Sequence, residues 1–106
     1  MWRIFKTAEF DSDFERLDES ERIRVKKVLN QIIEKGNEIG KPLSGLRFFK
    51  EKKLNGKRLY FLVYLDFKTI LILGISTKKA QQRTINEILV KLSEYKTFID
   101  KKVKEI

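Results

Sequence analysis

The stretch LRFFKEKKLNGKRLYFLVYL, residues 46–65, decides the fold. Its two halves are strand-like runs of aliphatic and aromatic residues broken at Asn55-Gly56, and both residues of that pair tolerate the positive φ that a type I′ turn demands. A two-residue turn fixes the register: Leu54 faces Lys57, Lys53 faces Arg58, Glu51 faces Tyr60, Phe49 faces Leu62 and Arg47 faces Tyr64. Side chains alternate between the two faces of a hairpin. One face therefore carries Arg47, Phe49, Glu51, Lys53, Arg58, Tyr60, Leu62 and Tyr64, and is expected to be the cationic, Tyr-bearing side. The other carries Leu46, Phe48, Leu59, Phe61, Val63 and Leu65 and is expected to pack on helices. Lys50 and Lys52 share this second side near its end, where long stems reach water.

Downstream of the hairpin, Asp66-Phe67-Lys68 makes a further turn. Leu46–Leu54, Lys57–Asp66 and Thr69–Ser76 then read as three antiparallel neighbours. The segment Lys79–Glu105 keeps a helical period through Ile85, Ile88, Leu89, Leu92, Ile99, Val103 and Ile106. Unbroken, it would reach about 39 Å at 1.5 Å per residue, which is longer than so small a domain is wide. It is expected to bend (Tyr95-Lys96-Thr97 is the candidate break), to project, or to bring its apolar stripe against a partner.

Upstream, Gly40-Lys41-Pro42-Leu43-Ser44-Gly45 reads as a loop. Before it, Val25, Val28, Leu29, Ile32 and Ile33 form the apolar stripe of a helix, with Ser20 as its expected N-cap and Gly36 as its stop. A shorter helix carries Phe10, Phe14 and Leu17 on one face, with Asp11 or Ser12 as its cap. Trp2–Lys6 opens the chain as a strand. The whole predicts a single α+β domain over residues 1–106, in the order β-α-α-β-β-β-α: a small antiparallel sheet on a helical hairpin, with a long C-terminal helix.

The composition narrows the chemistry. With no Cys and no His, there is no thiolate, no imidazole base and no metal ligand of either type. Acid–base work falls to Lys, Arg, Tyr, Asp or Glu, and no cofactor or metal is implied. No apolar stretch has the length of a leader or a membrane span, so a soluble, cytoplasmic protein without a membrane partner is expected. Lys and Arg number 24 against 15 acidic residues, a net charge of +9. This surplus suggests a polyanionic partner, or a Lys-rich proteome bias.

The hairpin favours the first reading. Lys53 opposite Arg58 is a repulsive cross-strand pair, which an anion between them would relieve. Arg47, Lys50, Lys52, Lys53, Lys57 and Arg58 stand against one acid, Glu51, and are interleaved with Tyr60 and Tyr64, as in sites that clamp phosphates and stack bases. Lysines that guard a sheet edge against aggregation are the alternative. Lys78, Lys79 and Arg83 add a basic cluster at a helix start, where cations oppose the helix dipole and an anion would be welcome.

Three stretches resemble the RelE/ParE superfamily of bacterial and archaeal toxins, in the RelE/HigB-like branch. Gly40–Gly45 is similar to its "PL.G" loop, Asn55–Tyr64 to its "G.(Y/K)RL.Y.V" strand, and Ile75–Lys79 with Gln81 and Gln82 to its "KK.Q" tail. The resemblance covers nearly the whole chain. It implies the toxin of a type II toxin–antitoxin system, with a cognate antitoxin as partner. The RelE-like activity is cleavage of mRNA on the ribosome by attack of a 2′-hydroxyl on the adjacent phosphate, without metal. Carried over by position, Arg58 would stabilise the scissile phosphate, Lys53 would clamp it or accept a proton, and Lys79 would be the basic residue after the last strand. Where RelE has a further Lys, this chain has Glu51, a candidate base or a neutraliser of Lys53. ParE-like members keep the fold, lack the nuclease set and act on gyrase. A degenerate toxin, or a plain basic RNA-binding module, also fits the residues. A homodimer through the C-terminal helix is a further expectation.

Overall fold

The computed structural model describes residues 1–105; Ile106, counted above in the C-terminal stripe, lies outside the described residues. The elements are β1 (Arg3–Lys6), α1 (Ala8–Glu15), α2 (Glu19–Lys35), β2 (Lys41–Leu43), β3 (Leu46–Leu54), β4 (Lys57–Tyr64), β5 (Thr69–Thr77), α3 (Gln81–Val90) and α4 (Leu92–Lys104). Asn55 and Gly56 both take positive φ, 43° and 92°. The turn sets the register read from the sequence, from Leu54 opposite Lys57 to Phe49 opposite Leu62.

The sheet has five strands in the order β1-β5-β4-β3-β2. Two of its features go beyond the expected antiparallel trio. β1 lies parallel to β5, Arg3 beside Thr69 through Lys6 beside Ile72. The stretch read as a loop contributes β2, which pairs antiparallel with β3. Ser44 and Gly45, with φ of 53° and 70°, make the tight turn between them, a second hairpin of the type that needs positive φ. Pro42 is tolerated because β2 is an edge strand.

The helix starts differ from expectation by a few residues. α1 is capped by Thr7, whose hydroxyl accepts from Phe10 N at 3.0 Å and donates to Leu73 O at 2.8 Å, not by Asp11 or Ser12. α2 is capped by Asp18 rather than Ser20. Asp18 and Glu21 form a reciprocal capping box, each side chain accepting from the other's backbone N–H, which satisfies two otherwise orphan donors. α2 ends at Gly36 as expected, and the indole of Trp2 lies so close that a Cβ there would overlap it.

Two cores form, one on each side of the sheet. Leu54, Leu59, Phe61, Val63, Ile70 and Ile72 pack on Phe10, Leu17, Val25, Val28 and Ile32 of the helical hairpin and its connection. Phe49, Tyr60, Leu62, Leu71 and Leu73 pack on Ile85, Ile88 and Ile99 of α3 and α4. The hairpin face expected to be cationic and Tyr-bearing is therefore roofed by the C-terminal helices over most of its length. The cause is the last helix, which breaks at Lys91, one turn before the expected Tyr95-Lys96-Thr97. The molecule is 35 Å long, and the break folds the apolar stripe back onto the sheet instead of carrying it past the edge. Val90, 80% exposed, is left on the outside of the bend. The stripe thus finds much of its cover within the chain.

Three residues assigned to the helical-hairpin side are elsewhere. Leu46 packs with the second core, while Phe48 and Leu65 are exposed. The β3–β4 ladder ends at Phe49–Leu62 and β2 shifts register at Pro42/Leu43, so the open end of the hairpin leaves the regular alternation.

Candidate functional site

At its turn end the hairpin aligns Lys53 of β3, Arg58 of β4 and Ser76 of β5 in one row across the sheet. The next row holds Glu51, Tyr60 and Gly74. A register shift in the β4–β5 ladder follows between Tyr60 and Phe61. These side chains lie on the side roofed by α3, and the first residue of that helix, Gln81, reaches into the cluster.

Within it, the Gln81 Nε2 donates to Glu51 Oε1 at 2.5 Å. Arg58 Nε stands 3.8 Å from the same oxygen, with the Glu51 side chain fully enclosed and that of Arg58 9% exposed. Among the described residues neither Arg58 Nε nor Glu51 Oε2 has a hydrogen-bond partner; Arg58 Nη1 donates to Lys57 O at 3.2 Å. Tyr60 Oη and Ser76 Oγ are 2.8 Å apart. Ser76 Oγ donates to Thr77 O at 3.0 Å, so the phenol is the donor of the pair. Burial pushes the Tyr60 phenol up, an effect reinforced by the Glu51 charge and opposed by Arg58.

The start of α3 is electropositive. Its N-cap, Ala80, provides no side-chain cap, and no acid lies in the first turn. Lys78 and Lys79 just precede it and are exposed, and the exposed Arg83 is 4.0 Å from Glu87. Basic side chains and the helix dipole thus add their potentials at one end of the sheet.

The sequence candidates divide between the two sides. Lys53, Arg58, Glu51 and Tyr60 come together on the α3 side. Lys50, Lys52 and Lys57 point to the opposite side, as strand alternation requires. Lys50 is buried, its Nζ donating to Asn37 O at 3.1 Å, and Lys57 pairs with Glu21 at 3.1 Å. Tyr60 is fully buried, so its ring is core and presents no face for a base. Tyr64 is half-buried at the far end of β4, its phenol pushed up by burial and by Asp100. Arg47 and Lys53 are exposed. Ser76 and Gln81 were missed as members of this cluster. The β4–β5 shift hides the register that brings Ser76 to Tyr60, and Gln81 needed the helix start to be known.

No family model matches this sequence, and no curated protein does. Solved structures do match. The isolated E. coli RelE toxin superposes with a TM-score of 0.63 at 16% identity, over 83% of this chain and 99% of that one. The fold is that of the RelE toxins. RelE in the intact E. coli RelBE toxin–antitoxin complex is similar at a TM-score of 0.63 and 17% identity, covering 73% of this chain and 96% of that one. The archaeal RelE–RelB complex from Pyrococcus horikoshii OT3 matches at 0.62 and 14%, covering 73% and 94%. The RelE-like architecture inferred from the three sequence stretches is thus the architecture found. Among the described residues, no helix is long and apolar enough to cross a membrane.

Proposed function

We propose that this chain is the toxin of a toxin–antitoxin pair, and that it acts in the cytoplasm as a ribosome-dependent mRNA endonuclease. The observation that carries the reading is the Lys53–Arg58 pair lying beside the basic, acid-free start of α3, in a RelE-like fold. In this scheme an mRNA phosphodiester sits over Arg58. The 2′-oxygen gives up its proton and bonds to phosphorus, the P–O5′ bond breaks, and the 5′-oxygen takes a proton from water, giving a 2′,3′-cyclic phosphate and a 5′-hydroxyl. Arg58 and Lys79 stabilise charge that grows on the phosphoryl oxygens. Lys53 clamps the phosphate or takes the 2′-proton. Glu51, wholly enclosed, does not reach a substrate hydroxyl in this arrangement. Exposed Arg47, Lys78 and Arg83 would hold the flanking RNA.

The test is purified protein with programmed ribosomes. The wild type cuts mRNA in codon phase, and Arg58→Ala lowers the rate by about 10²–10³-fold, as loss of a transition-state donor does. Intact mRNA would discard the nuclease reading. A second reading has its own support. Arg58 is buried and already faces an acid, which favours a toxin without nuclease activity that acts by binding a protein, as ParE-like toxins do on gyrase. Growth inhibition unchanged by Arg58→Ala would select it. Harmless expression of the wild type would instead select a basic RNA-binding module. A cognate antitoxin of acidic character is the partner that a chain of net charge +9 fits best.

A further inference from the structure

The Glu51–Arg58–Gln81 cluster is unusual in energetic terms. A buried ion pair is favourable when the geometry is good and the remaining polar atoms are bonded. Here the pair is separated by 3.8 Å, and Glu51 Oε2 and Arg58 Nε are both without hydrogen-bond partners among the described residues. Leaving buried polar atoms unpaired is costly, and apolar residues at both 51 and 58 would avoid that cost. The arrangement does have an electrostatic effect. The carboxylate cancels much of the Arg58 charge at the place where the row of cations meets the positive end of α3. Gln81 shares the same carboxylate oxygen, so the start of α3 and the guanidinium compete for one acceptor.

We propose that Glu51 is an internal counter-ion that restrains Arg58, with Gln81 as the latch that draws part of the carboxylate's charge away from it. Glu51 is thus a positioning residue that sets how strongly the site attracts a phosphate, and it is not a base. The inference deepens the phosphate-binding role proposed above and rests on it for its biological meaning, but it is testable without cleavage. Replacing Glu51 by Gln keeps the shape and releases Arg58. Replacing Gln81 by Leu removes the donor and leaves the carboxylate to Arg58 alone. The two changes therefore move anion binding in opposite directions, whereas a merely structural cluster would lose binding in both.

The probe is a fluorescent single-stranded DNA oligonucleotide, which has no 2′-hydroxyl and cannot be cut by the proposed chemistry. Its affinity is measured by anisotropy across a salt series, on full-length variants whose melting has been checked. Glu51→Gln should bind roughly five- to tenfold more tightly at low salt. The slope of log K against log salt should steepen by about 0.7, one further phosphate contact on a single strand. In an Arg58→Gln background both gains should vanish. Gln81→Leu should bind more weakly than wild type, and that loss should vanish in the Arg58→Gln background, where a merely structural loss would persist; this pair carries the test if Glu51→Gln fails to fold. Glu51→Gln binding no tighter, a gain that survives Arg58→Gln, or weakening in both Glu51→Gln and Gln81→Leu would each overturn the inference. Opposite shifts on DNA together with intact mRNA on ribosomes would sink the nuclease alone. Cleaved mRNA without the opposite shifts would sink the restraint alone.

Discussion

Tyr60 sits where the two rows of the site meet, its ring in the second core and its hydroxyl on Ser76. Tyr60→Phe keeps the ring and removes the donor, leaving Ser76 to Thr77 alone. The expected cost is about 1 kcal/mol, the usual net value of one such bond, read from the denaturant midpoint. The fold should survive, and Ser76→Ala added to Tyr60→Phe should cost little more. The same residue marks the limit of what residue identities revealed. Alternation correctly placed Arg58, Tyr60 and Lys53 on one side, but alternation gives the side and not what covers it. A Tyr one row from a pair of cations looks the same in sequence whether it awaits a base or lies under a helix. Glu51 posed the same difficulty: its position was legible, its complete enclosure was not.

Local turn chemistry carried most of the readable information at the level of elements. Asn55-Gly56 fixed the β3–β4 register residue by residue. Ser44-Gly45 carries the same kind of signal, masked because two Gly and a Pro within residues 40–45 together read as a break. Asp18 with Glu21 three residues on is a capping box in plain sight, and it starts α2 two residues before the Ser20 cap expected from the sequence. The bend at Lys91 has no Gly or Pro to announce it and is imposed by packing. Gly36 offers a direct test of such packing. Its φ is +48° and a Cβ would overlap the Trp2 indole. Gly36→Ala is expected to cost about 2–4 kcal/mol from backbone strain and displacement of the ring. In a Trp2→Ala background the same change should cost less by about 1 kcal/mol or more, because only the strain remains. A double-mutant cycle in urea separates the two parts, and an unchanged cost would mean that the indole is not the obstacle.

For the whole molecule, all three tyrosines of the sequence, Tyr60, Tyr64 and Tyr95, have phenols raised above the ordinary value of 10.0, with burial the first cause in each. The unfolded chain ionises these groups near pH 10, while the folded chain holds their protons longer. Stability from their neutral burial is therefore whole below pH 10 and is lost as the pH climbs through the raised values. Urea unfolding at pH 8 and above pH 10 should show that fall. Phenolate absorbance of the native protein should lag that of the unfolded chain. The pairing of β1 with β5 joins residues that are far apart in the chain, Arg3 to Thr69 and Lys6 to Ile72. Contacts that close so long a loop carry an entropic closure cost and slow folding. During synthesis at about 5–20 residues per second, β1 waits several seconds for its neighbour to be made. Trp2, Ile4 and Phe5, which finish against the two cores, spend that interval without their partners. The nascent chain thus presents a sticky leading segment to chaperones and to its own later helices well before the sheet can accept it.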